Sequence, residues 1–195
     1  MEMNEISSLI EQLALDKNIK LEEIPEIDLY MDQVIQLFEN KYNEAKRYED
    51  DKVLTKTMIN NYAKGKLLMP IENKKYSKEH LILMSFIYNL KGSLSLSDIK
   101  SSLDTIIKGY EENKDYPLRQ IYTDYLEQSK DDLEVFKKDV LNKAESINEN
   151  VKDDDEKTFE ERFLLLCSMI NMSNMYRRMG EKIIDEFFIK DKKEK

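Results

Sequence analysis

LTKTMINNYAKGKLLMPIENKKYSKEHLILMSFIYNLKGSLSLSDIKSSL, residues 54–103, is the stretch whose reading decides the fold. Thr55 is a good N-cap and predicts a helix over 56–64. Gly65 follows as the expected C′ residue, where a helix commonly ends at positive φ. Pro70 prevents continuation. Residues 70–76, PIENKKY, predict a small β-hairpin or wing. Ser77 then caps a helix over 78–91, with Glu79 placed to favour the positive end of the helix dipole. Gly92 ends it, and Ser95 or Ser97 opens a further helix over about 96–112. A short capped helix, a basic turn and two more helices are the layout of a winged helix-turn-helix.

Outward from this stretch the chain reads as helix. Ile6, Leu9, Ile10 and Leu13 recur at helical spacing and predict a first helix over roughly 3–16. Pro25 sits in the break that follows. Asp28 is the expected N-cap of a second helix over about 29–44, with Val34, Ile35 and Phe38 on its apolar face. Polar residues 43–52 read as a loop, and Asn113–Pro117 as a linker. Beyond the linker, apolar positions from Leu118 to Val151 hold three- and four-residue spacing. A helix over 117–151 is about 50 Å long and needs a second long helix beside it. That partner is 157–189, preceded by the acidic turn Asp153, Asp154 and Asp155. The expected fold is all-α: an N-terminal winged helix-turn-helix with a small β-hairpin wing, then two long helices forming an antiparallel hairpin. The corresponding divisions are an N-terminal helix (1–23), the winged domain (24–112) and the helical hairpin (113–195).

Charge supports the same division. The net charge is −9, with 31 basic and 40 acidic side chains. Residues 52–100 nevertheless carry nine lysines against Glu72, Glu79 and Asp98, and so form the one net-positive block. Distribution matters more than the sum for a nucleic-acid surface. The longest apolar run, Phe163–Cys167, is far short of a membrane span. The acidic start is unlike a signal peptide, and one cysteine forms no internal disulfide, so a cytoplasmic setting is expected.

Thr57-Met58-Ile59-Asn60-Asn61-Tyr62, Leu67-Leu68, Pro70 and Lys74-Lys75-Tyr76-Ser77 together resemble the DNA-binding domain of the MerR-type regulators. Ser95-Leu96-Ser97-Asp98-Ile99-Lys100 resembles a later segment of the same family. With Pro25 and Asp28–Gln33 added, the span 24–105 also resembles the YkrK-like bacterial proteins, known as a domain of unknown function. The resemblance implies a recognition helix at 56–64 and a wing around Lys74 and Tyr76. Asn60 stands where MerR-type proteins carry a backbone-contacting arginine. Asn61 replaces the family's first tyrosine, Tyr62 matches its second, and Lys74 replaces the wing arginine, giving a point charge without a fork.

The residues themselves point the same way. Ile59 and Tyr62 can pack inward, leaving Lys56, Thr57, Asn60, Asn61 and Lys64 outward. Asparagine can read adenine in the major groove, and lysines can neutralise phosphates. The expected activity is transcription regulation by binding double-stranded DNA. The candidate contacts are Thr55, Lys56, Thr57, Asn60, Asn61, Tyr62, Lys64, Lys66, Lys74, Lys75 and Tyr76. Phe163–Ile170 is apolar nearly all round and is expected to be buried on several sides. Phe163, Leu166, Ile170, Met172, Met175 and Tyr176 are therefore candidates for homodimerisation or for holding a small-molecule effector. Cys167 is expected to be inert packing, and His80 structural. No catalytic constellation, metal site or cofactor motif is present, so no enzyme activity and no cofactor are expected. The alternative is a protein-interaction module of winged-helix shape that does not bind DNA.

Overall fold

The computed structural model describes residues 2–151 and 157–189. The acidic turn at Asp153–Asp155 lies outside the described residues. Among those described there are seven α-helices and one two-stranded antiparallel sheet, an all-α fold with a small β element. In chain order these are α1 (Met3–Gln12), β1 (Leu29–Tyr30), α2 (Met31–Tyr42), α3 (Lys56–Lys64), β2 (Lys75–Tyr76), α4 (Lys78–Leu90), α5 (Leu96–Glu112), α6 (Leu118–Asn150) and α7 (Lys157–Phe187). No helix of the described residues is long and apolar enough to cross a membrane.

α4 is the axle of the larger core. Leu81, Ile82, Leu83, Met84, Ser85 and Ile87 are buried, so the helix is covered on all sides. Ser85 is affordable there because its hydroxyl donates to the Leu81 carbonyl at 3.0 Å. Ile19, Val34, Phe38, Ile59, Tyr62, Ile99 and Tyr122 surround it from the flanking elements. Tyr122 donates to the Ile19 carbonyl at 2.6 Å, tying α6 to the segment before α2. Burial pushes that hydroxyl's pKa up to about 12.

A second, smaller core joins three helices. Ile6 and Ile10 of α1 pack with Val140 and Ala144 of α6, and Leu165 and Met169 of α7 complete it. The N-terminal helix therefore docks on the long helices, and the expected two-helix hairpin carries a third layer.

Two details of the local reading are corrected. Asp28 does not cap α2: Leu29 and Tyr30 are drawn into β1 by pairing with Tyr76 and Lys75, and the helix starts at Met31. The Gln33 side chain accepts from the Tyr30 N–H at 2.8 Å instead. Gly65 is not left-handed, at φ −73°; the positive φ falls one residue later, at Lys66 (57°). Glycine is needed at 65 for space, since a Cβ there would come within 2.7 Å of buried Leu67 Cδ1.

Candidate nucleic-acid interface

α3 is placed by its cap and by its buried face. Thr55 Oγ1 accepts from the Met58 N–H at 3.2 Å, satisfying one of the free donors of the first turn. Ile59 and Tyr62 enter the core, which leaves Lys56, Thr57, Asn60, Asn61 and Lys64 exposed on one side. No acidic residue occupies the first turn of α3. Its positive end is thus not neutralised from within the helix. Lys56 pairs with Asp32 at 2.7 Å, bridging the starts of α3 and α2.

The connector that brings α3 beside α2 is held by polar contacts. Glu39 accepts from the Val53 N–H at 3.0 Å and pairs with Lys46 at 2.6 Å. Lys91 at the end of α4 donates to the Val53 carbonyl at 3.0 Å, and burial lowers its pKa. Residues 43–52 are therefore outside regular helix, apart from one 3₁₀ turn at Asn43–Ala45, but anchored.

The basic turn follows from unusual backbone. Asn73 and Lys74 have φ of 50° and 58°, and the Lys75 N–H donates to the Glu72 carbonyl at 2.9 Å. Two successive residues at positive φ mark a type I′ turn. It leaves Lys74 exposed at the tip. The strand that leaves this turn, β2, pairs with β1 ahead of α2. Lys75 is half-buried with its ammonium 5.3 Å from the Tyr30 ring centroid, a cation–π contact. Tyr30 itself is exposed. Nothing in the order of residues signals that pairing, and the sequence reading missed Tyr30.

Behind the turn the start of α4 is locked by two devices. His80 Nδ1 accepts from the Ser77 N–H at 3.1 Å, a capping box closed by histidine in place of glutamate. Nε2 therefore carries the proton and donates to the Met69 carbonyl at 3.3 Å. Burial, the dominant effect, lowers the His80 pKa. The second device is an ion network. Arg119 of α6 lies 2.7 Å from Glu79 and 3.1 Å from Glu26, and Lys78 lies 2.6 Å from Glu26. Burial pushes the Glu79 carboxyl up, but hydrogen bonds led by Arg119 outweigh it and hold the pKa below the ordinary value.

Among the described residues, Lys64, Lys66 and Lys74 are exposed and make no ion pair. Two expected contacts are corrected: Tyr62 and Tyr76 are 4% and 3% exposed and belong to the core. Their rings support the surface instead of forming it. At the C-terminal helix the packing expected of Cys167 is corrected. Phe163, Leu166, Ile170, Met175 and Tyr176 are exposed, Met172 is half-buried, and Cys167 is exposed instead of packed inside. The apolar run 163–170 is therefore not enclosed by its own chain. Of the six residues marked for dimerisation or an effector, only Leu166 lines the groove between α1 and α7. No group of three or more His, Cys, Asp or Glu that could hold a metal ion occurs among the described residues.

No curated protein and no solved structure matches the chain. A protein-family model, described as a domain of unknown function (DUF1836), matches residues 19–125. That span is the one that builds the larger core, from Ile19 to Tyr122 and its neighbour Tyr125. The chain belongs to the DUF1836 family.

Proposed function

We propose that this protein is a bacterial, cytoplasmic transcription regulator that binds duplex DNA through α3 and the turn at 72–75. The observation that carries the reading is the set Lys64, Lys66 and Lys74: exposed, without ion pairs among the described residues, and adjacent in sequence to Asn60, Asn61 and the wing strand. An acidic chain that keeps unpaired lysines at the end of α3 and in the turn before β2 retains positive charge where phosphates can approach. Asn60 and Asn61 offer amides that match the N6 and N7 edge of adenine. The MerR-type pattern at 57–77 and the YkrK-like pattern at 24–105 add support. Two copies of the chain would address two half-sites about one helical turn apart.

Fluorescence anisotropy with a labelled random duplex at low salt tests this. Wild type is expected to bind, with a log–log salt slope of roughly −3 to −4 if three or four lysines meet phosphates. Lys64→Glu, Lys66→Glu and Lys74→Glu together should abolish binding while the helical circular dichroism is unchanged. No binding by wild type at low salt overturns the proposal.

A further inference from the structure

α7 changes the side on which it is covered midway along its length. Ile170 and Ile184 lie within about 40° of each other on the helix, yet Ile170 is 55% exposed and Ile184 only 4%. Leu165 and Ile183 share the other face, about five turns apart. Leu165 packs into the second core, whereas Ile183 is exposed. The first half of α7 therefore turns a regular apolar stripe to the outside: Phe159, Phe163, Leu166 and Ile170. The second half exposes a different stripe, around Met179 and Ile183, on the opposite face.

We infer that a second copy of this chain covers the first stripe, Phe159–Ile170, by packing the same stripe against it. The inference rests on the two-copy part of the proposed function and is independent of its DNA part. Three observations favour this occupant. The first is self-complementarity, which a twofold contact requires. About an axis between residues 164 and 165, Phe159 meets the partner's Ile170, and Phe163 meets the partner's Leu166. The second is charge: residues 163–176 contain no charged side chain. Charge meets the first stripe only at its Phe159 end, beside Glu160 and Arg162, whereas the second stripe is interleaved along its length with Arg177, Arg178, Glu181 and Lys182. The third is area. Exposed Leu9 of α1 borders Leu166 across a groove of about 610 Å³, so the patch extends from α7 onto α1. Phe159, Phe163, Leu166, Ile170 and Leu9 are each about half exposed or more. At roughly 100 Å² apiece they supply about 500 Å², more than half of the ~800 Å² that one side of a stable interface contributes.

The single cysteine makes the contact measurable. On helices packed ~9 Å apart about this axis, the two Cys167 residues lie roughly 12 Å apart, given 1.5 Å of rise per residue. Pairing through the second stripe would hold them roughly 40 Å apart. The full chain is sized by light scattering, treated with a bismaleimide of about 10 Å span, and compared with Phe163→Glu and Met179→Glu. The expected results are a dimer, a crosslinked band at twice the chain mass, a monomer for Phe163→Glu with helicity retained, and a dimer for Met179→Glu. A wild-type monomer at all working concentrations overturns both the inference and the two-copy reading. A dimer that survives Phe163→Glu, or that Met179→Glu breaks, overturns the inference alone.

Discussion

Replacing Arg119 tests how the long helix is joined to the rest of the family domain. Its Nε and Nη2 donate to one oxygen of Glu79 at 2.9 and 2.7 Å, and Nη1 lies 3.1 Å from Glu26. Glu79 is 7% exposed, so Arg119→Met leaves a buried carboxylate without its guanidinium. Breaking a buried pair in this way costs ~3–5 kcal/mol. Two features reduce the figure here. The Arg119 side chain is 47% exposed, so solvent screens part of the attraction. Glu79 also keeps its place in the first turn of α4, where the helix dipole favours a carboxylate. About 2 kcal/mol remains, equivalent to a fall in melting temperature of ~4–8 °C for a chain of this size. Urea unfolding followed by circular dichroism is the assay, with the slope unchanged and the midpoint lowered. Glu79→Gln and the double variant close a thermodynamic cycle. Arg119→Met should be substantially rescued by Glu79→Gln, with a coupling energy of about 1.5 kcal/mol. A coupling below ~0.5 kcal/mol would refute the reasoning, because independent sites add to within that margin.

Gly65→Ala should destabilise by ~1–3 kcal/mol through overpacking against buried Leu67, and a chemical-denaturation midpoint reads it. Lys66→Gly should do the reverse and stabilise by roughly 1 kcal/mol, since it removes a side chain from positive φ, while weakening DNA binding in the same anisotropy titration. His80 titrates below its ordinary pKa in the fold, so the unfolded chain binds the proton more readily. Its contribution is complete above about pH 6.5 and is lost as pH falls through the lower folded value. His80→Gln should therefore flatten the pH dependence of the melting temperature below about pH 6.5. At lower pH, Glu79, Glu26 and Glu39, all held below the ordinary carboxylate pKa, should lose their share of stability as pH falls under about 4.3. Stability in that range should drop in wild type more than in Glu79→Gln.

Local chemistry was legible wherever one side chain decides the backbone within a turn of itself. Thr55 and Ser95 cap the helices that follow them, because a hydroxyl next to the first free N–H groups needs no distant partner. Ile59 and Tyr62 lie one turn apart, so their shared inward face follows from helical period alone. The contents of the surface were less legible, because a residue type does not say which side the core lies on. Tyr62 and Tyr76 match a family's contact pattern yet are core residues. His80 caps a helix because Met69, eleven positions away, supplies the acceptor for its other nitrogen.

By itself, then, the sequence determined the helices, the starts of α3 and α5, the basic turn and the one positive block, all set by caps, spacing and composition over short range. Only tertiary structure decided the rest. Leu29–Tyr30 becomes a strand because Lys75–Tyr76 is brought beside it, overriding Asp28 as a cap. Arg119 and Glu79 meet across forty positions because α6 returns to the start of α4. α7 keeps one hydrophobic pattern but is covered on different sides along its length, by α1 and α6 and then near α5. Periodicity names an apolar face; which neighbour reaches it depends on the path of the whole chain.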